Sequence, residues 1–292
     1  MQCTSPIRIM KNQTSATGLL VPCGKCLACR ISRRKEWSLR MLHELEEYND
    51  AIFVTLTYSD DHLPNNFSLS KRALQLFYKR LRYSIQPNNI RYFACGEYGP
   101  KTGRPHYHSI IFGLSLSSGD KKHIMDNWPY CDWDNPVIRK KSFGLAEPDS
   151  IRYVAQYIDK KFSGPLADEE YAGKNREPVF RLSSQGIGAR YVDRNCEDLQ
   201  KNLSFTVQGV QHQVPRYYLK RLGMDSKSIT TIAKQKDIDV VEHYTGKKAS
   251  SNDFYAHGTV NEILEFEGLV TKAKKQHEAN LVAKTKLYDP KL

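Results

Sequence analysis

The chain has 292 residues, 40% of them hydrophobic, with 44 Lys and Arg against 32 Asp and Glu, a net charge of +12 and a pI near 9.3. That is enough apolar chain for a real core, in one large domain or two small ones, and the positive excess calls for a polyanionic partner, nucleic acid ahead of membrane. No apolar run is long enough for a transmembrane helix, the N-terminus lacks a signal-peptide core, and seven clustered cysteines do not suit a disulfide framework, so the expectation is a reduced, cytoplasmic protein.

Residues 1–34 form a polar entry segment holding Cys3 and the cluster Cys23, Cys26 and Cys29. Thiols at Cys-x-x-Cys-x-x-Cys spacing beside basic residues suggest a metal, and a closed zinc site needs a fourth ligand, for which Cys3 is the nearest candidate. The competing reading is a set of small residues buried at a helix start. Arg30, Arg33, Arg34 and Lys35 follow and are read as contacts to a DNA backbone rather than a solvated face. Cys95, Cys131 and Cys196 stand alone and are read as core.

A helix is predicted next, with Trp37, Met41, Leu45 and Tyr48 on one face. A strand over 52–58 and a break at 60–64 lead to a second helix over 69–83. Its inner face carries Leu74, Phe77 and Leu81, and its outer face Arg72, Lys79, Arg80 and Arg82. Then come a strand over 90–95, a Gly- and Pro-rich turn containing Glu97, and a strand over 106–112 that stops at Gly113. A short helix is expected over 121–127, a weak strand over 143–146, and a helix over 151–162 capped by Ser150. This order fits an α+β fold with one central antiparallel sheet and flanking helices, laid on one face of it. Residues 163–224 are harder to read, and from about 225 the chain is Lys-rich and weakly helical.

Side chains on a strand alternate, so His106 and His108 share a face, where two imidazoles can reach one metal ion. Glu97, near the loop end, is able to fold back as an anionic third ligand. Ligand softness alone does not choose between zinc and magnesium or manganese for such a set. On the helix over 151–162, Tyr153 and Tyr157 lie four apart and share a face, with Lys160 and Lys161 one turn later. A tyrosine pair is commonly core, but a phenol beside an ammonium is also what covalent attack on phosphate requires. His62 lies after the first strand without a clear role. Tyr217 and Tyr218, being adjacent, do not share a face and are read as packing.

Together these residues resemble the HUH endonucleases. Phe53-Val-Thr-Leu-Thr-Tyr58 is similar to the first motif of that superfamily's replication initiators, Pro105-His-Tyr-His108 to its metal-binding motif, and Tyr153-Val-Ala-Gln-Tyr157-Ile-Asp-Lys160-Lys161 to its two-tyrosine nucleophile motif. The Cys23–Arg30 cluster, Gly186-Ile-Gly188 and Pro215-Arg-Tyr-Tyr218 narrow the resemblance to the replication initiators of microviruses, gokushoviruses above all. Gln156 departs from the pattern, since relatives often have Lys there, so Lys160 and Lys161 are expected to serve both phenols.

The resemblance implies a rolling-circle replication initiator, a metal-dependent single-strand nickase and joining enzyme acting through a 5′-phosphotyrosine. Tyr153, Tyr157, Lys160 and Lys161 would be catalytic, and His106, His108 and Glu97 would hold Mg2+ or Mn2+, with Zn2+ on Cys3, Cys23, Cys26 and Cys29. The implied partners are single-stranded origin DNA and the helicase and polymerase of a bacterial host, in whose cytoplasm it would act, with no membrane. The expected division is a Cys-rich segment (1–34), a nickase domain with its extension (35–224) and a C-terminal region of unknown role (225–292). A plasmid initiator or transposase of the same superfamily, or a non-catalytic zinc-dependent DNA-binding protein, are the alternatives.

Overall fold

A computed structural model of the chain describes residues 3–9, 19–157, 167–245 and 259–288, which fall into two compact units, 34–195 and the remainder. The 34–195 unit is built on a five-stranded antiparallel sheet. Numbering strands from the N-terminus, where β1 (Ile7–Ile9) and β2 (Leu19–Val21) form a separate pair, the sheet comprises β3 (Ala51–Leu56), β4 (Arg91–Tyr98), β5 (Pro105–Phe112), β6 (Phe143–Leu145) and β7 (Phe180–Ser183). They lie in the order β6-β3-β5-β4-β7. The central antiparallel sheet with flanking helices is therefore as the residue pattern predicted. Strand β7 lies in the stretch that sequence periodicity left unread.

The helices cover both faces, not one. On one face α2 (Lys71–Ser84) and α3 (Ser118–Asn127) pack Leu74, Phe77, Tyr78, Leu81 and Ile124 against Ile52, Val54, Leu56, Tyr107 and Ile111. On the other, α1 (Leu27–Leu45) and α5 (Pro148–Gln156) pack Trp37, Met41, Ile151, Val154 and Ala155 against Ala51, Phe93, Cys95, Ile110 and Phe112. The reason is in β5 itself, where seven of eight residues are buried, so neither face is left to water. Each fully buried large apolar side chain contributes roughly 1.5–3 kcal/mol. Strand β5 ends at Gly113, whose φ of +92° is unfavourable for other residues, and where a Cβ would lie 3.0 Å from the Asn89 carbonyl oxygen.

Several boundaries differ from expectation. Helix α1 starts at Leu27 and ends at Leu45, so Tyr48 lies beyond it. Strand β4 runs on to Tyr98, which makes Glu97 a strand residue rather than part of a turn. A short helix, α4 (Pro136–Ser142), capped by Asn135, was not foreseen. Helix α5 begins at Pro148, with Ser150 inside its first turn, where Ser150 Oγ accepts the Glu147 N–H at 2.8 Å. The expected continuation of that helix to 162 runs past residue 157, outside the described residues. Cys95 and Cys131 are buried, but Cys196 is exposed.

Gly186-Ile-Gly188 has a packing role. The Gly188 N–H donates to Glu44 Oε2 at 2.6 Å, Arg40 Nε donates to the Ile187 carbonyl at 3.0 Å, and the buried Glu44 carboxylate also pairs with Arg91. In the other unit, helix Arg216–Arg221 buries Tyr218 beside Phe205. The 225–292 region contains helices Ser226–Thr245 and Val260–Tyr288. No helix among the described residues is long and apolar enough to cross a membrane.

Candidate active site

The β4–β5 register sets Glu97 directly across from His106, and His108 across from Cys95 on one side and Thr55 of β3 on the other. Because strand side chains alternate, Glu97, His106 and His108 all project to the α1/α5 face. Glu97 Oε1 lies 2.7 Å from His106 Nε2 and 3.4 Å from His108 Nε2. Glu97 thus reaches the histidines from its own strand, without folding back from a loop.

The second ring nitrogens fix the imidazoles. His106 Nδ1 is 3.2 Å from the Arg104 carbonyl oxygen, which can only accept, so Nδ1 carries a proton and donates it. In the neutral ring Nε2 then presents a lone pair to the Glu97 carboxylate. Two acceptors 2.7 Å apart need a proton or a cation between them. His108 Nδ1 hydrogen-bonds Thr55 Oγ1 at 3.0 Å, so it too turns Nε2 towards Glu97. The three ligand atoms lie within 4.8 Å of one another, with Glu97 and His108 buried. Two nitrogens and a carboxylate oxygen, oriented by outer partners, fit a divalent cation.

Helix α5 lays two phenols over this group. Tyr157, at its C-terminal cap, stacks on His108 with centroids 4.9 Å apart and 17° between planes. Tyr153, one turn earlier, meets His108 edge-on at 5.2 Å and Tyr157 at 5.0 Å. Phe53 of β3 stacks on His108 at 5.7 Å and meets Tyr153 at 6.1 Å. The two phenols differ in access: Tyr153 is 42% exposed and Tyr157 only 6%. Burial pushes the Tyr157 phenol well above its ordinary pKa, and hydrogen bonding with Tyr153 and the Glu97 charge add to that.

Of the residues singled out from sequence, Glu97, His106, His108, Tyr153 and Tyr157 come together in one place. Lys160 and Lys161 lie outside the described residues. Reasoning from sequence missed Thr55 and Phe53 as partners of His108. The signal was available, since both alternate onto the same face of a strand that must pair with the histidine strand. His62 is elsewhere, hydrogen-bonded to Ser59 Oγ at 2.9 Å and edge-on to Tyr130. In the other unit, Cys3, Cys23, Cys26 and Cys29 bring their sulfurs within 4.8 Å of one another. Arg30, Arg33, Arg34 and Lys35 follow along α1, with Arg33 and Lys35 exposed.

The family model of the ORF2-type replication-associated proteins matches residues 51–162, the stretch that holds all of the candidate site. The chain is 31% identical over 246 residues to the replication-associated protein VP4 of Bdellovibrio phage phiMH2K, covering 75% of this chain and 76% of that one. It is 33% identical over 220 residues to the replication-associated protein ORF2 of Spiroplasma virus 4, covering 69% and 67%. To the replication-associated protein ORF4 of Chlamydia phage 1 it is 29% identical over 227 residues, covering 72% and 56%. No solved structure matches the chain.

Proposed function

Because the chain belongs to the family of phage replication-associated proteins, which serve rolling-circle replication, we propose that it is the initiating nickase of that process. In this reading it cuts one DNA strand at an origin, holds the 5′ end on tyrosine, and later rejoins the strand. The observation that carries it is the stacking of Tyr157 on His108, which sets a phenol pair against an N2O donor group on one sheet face.

Glu97, His106 and His108 would hold Mg2+ or Mn2+ in the manner of the HUH endonucleases, and the four cysteines a structural Zn2+. When bound, the divalent ion supplies positive charge to a non-bridging oxygen of the scissile phosphate. The chain's own residues do the rest. A phenol oxygen of Tyr153 or Tyr157 attacks phosphorus in line, giving up its proton as the O–P bond forms. The P–O3′ bond breaks, and the departing 3′ oxygen takes up a proton to become the hydroxyl that primes synthesis. After one circle the other tyrosine cleaves the regenerated origin, and the freed 3′ hydroxyl displaces the first tyrosine to close the strand. The bond energy is held in the phosphotyrosine, so joining needs no nucleotide. Lys160 and Lys161 are assigned to charge stabilisation at the phosphoryl group. Arg30, Arg33, Arg34 and Lys35 are assigned to the DNA backbone.

The partner is single-stranded origin DNA in the cytoplasm of the bacterial host, with host helicase and polymerase extending the primer. The test is incubation of the full chain with single-stranded virion oligonucleotides, with and without Mn2+. The expected result is a metal-dependent, denaturation-resistant protein–DNA adduct that maps to Tyr153 or Tyr157. Strong DNA binding with no adduct under any divalent metal would leave a binding protein and overturn the nickase reading.

A further inference from the structure

We infer that Cys3, Cys23, Cys26 and Cys29 form a closed four-thiolate zinc site whose negative charge is balanced by the basic start of α1. This deepens the zinc assignment above and uses none of the residues of the nicking chemistry. The sulfurs of Cys3 and Cys26 are 3.8 Å apart. A tetrahedral ion with Zn–S bonds of about 2.3 Å requires sulfurs about 3.8 Å apart along each edge, whereas a disulfide would bring them to about 2.0 Å. None of the four is disulfide-bonded.

The backbone is arranged for thiolates. The Cys23 N–H donates to Cys3 Sγ at 3.2 Å, and the N–H groups of Lys25 and Cys26 donate to Cys23 Sγ at 3.4 and 3.3 Å. Hydrogen bonds of this kind favour the charged form of the acceptor. The turn that aims them needs Gly24, whose φ is +74°. Four thiolates and one Zn2+ leave a net charge of −2, and soft sulfur ligands favour zinc over magnesium.

That charge meets a positive setting. Cys26 precedes α1 and Cys29 lies in its first turn, at the positive end of a 19-residue helix. Lys25 and Arg30 flank them in sequence, and the Arg33 guanidinium donates to the Gly24 carbonyl at 3.3 Å, which ties the helix back to the cysteine turn. Part of the basic run thus belongs to the metal site. The site also closes a loop in the chain: Cys3 leads into β1, β1 pairs with β2, and β2 leads back to Cys23. With four protein ligands the site keeps no open position, so it is structural rather than catalytic.

The test is made on the full chain, purified under reducing conditions with zinc supplied. Elemental analysis should find one zinc per chain, and cobalt substitution should give the d–d bands and sulfur-to-cobalt charge transfer of a tetrahedral four-thiolate ion. Cys3→Ser should reduce the charge transfer to a three-thiolate intensity. Should that variant fail to fold, the wild-type cobalt intensity decides alone. Arg33→Ala should release zinc to a chelator several-fold faster than wild type. No zinc in the wild type, or a cobalt spectrum of three thiolates or fewer, would overturn the assignment. His106→Ala should keep its zinc while losing the Mn2+ site. Zinc without adduct therefore refutes the nickase reading alone, and adduct without zinc refutes this one alone.

Discussion

The unequal burial of the two phenols predicts an order of use. Tyr153 is 42% exposed, whereas Tyr157 is 6% exposed, lies flat on His108 and hydrogen-bonds with Glu97 and Tyr153. For Tyr157 to attack a phosphate arriving from solvent, its hydroxyl must leave a hydrogen bond to a charged group, which costs about 1.5–3 kcal/mol. At about 1.4 kcal/mol per factor of ten, that is a handicap of roughly ten- to a hundredfold relative to Tyr153. Tyr153→Phe should therefore slow the first adduct on an intact single strand by about that factor. Tyr157→Phe should slow the first adduct far less, and stall instead when the strand must be rejoined. The assay is a quenched time course with a labelled oligonucleotide, followed by peptide mapping of the adduct, with DNA binding and Mn2+ titration confirming that each variant is intact. First-adduct rates that fall equally in the two variants, or further in Tyr157→Phe, would refute the argument.

Removing Glu97 with Ala should weaken Mn2+ binding in calorimetric titration while leaving the thermal midpoint little changed, because the carboxylate lies between two histidines rather than inside the apolar core. Thr55→Val keeps the side-chain shape but deletes the hydroxyl that orients His108, and should lower Mn2+ affinity or nicking by about 10–100-fold. Tyr107, between the two histidines, points to the opposite face, where its hydroxyl accepts the Ser70 N–H at 2.8 Å and hydrogen-bonds Tyr58 at 3.0 Å. Tyr107→Phe strands that backbone donor and should destabilise the fold by about 1–3 kcal/mol in denaturant unfolding, without changing Mn2+ affinity.

The sheet was legible because its strands are short, β-branched and bounded by breakers, and the strands at 51–56 and 105–112 fell where alternation put them. Periodicity had less to say where burial is two-sided. A strand covered on both faces no longer alternates, so the sequence pattern of β5 does not reveal that α1 and α5 cover the face opposite α2. Strand β7 is only four residues, joins the sheet at its edge beside β4, and follows a Lys- and Glu-containing stretch, so nothing local marks it. Tertiary pairing makes it a strand.

The site divides along the same line. His106 and His108 were readable as neighbours because two residues on one strand share a face whatever the rest of the fold does, and one helical turn does the same for Tyr153 and Tyr157. Glu97 was readable as a candidate but not in its position, since the extent of β4 past Cys95 depends on pairing with β5 rather than on its own composition. That pairing has a chemical consequence. A carboxylate on a loop can move away when no cation is present, whereas Glu97 is held opposite His106 by the backbone register on both sides. The donor group is therefore organised before any ion arrives, and the two phenols of α5 rest against a surface whose shape is set by the sheet.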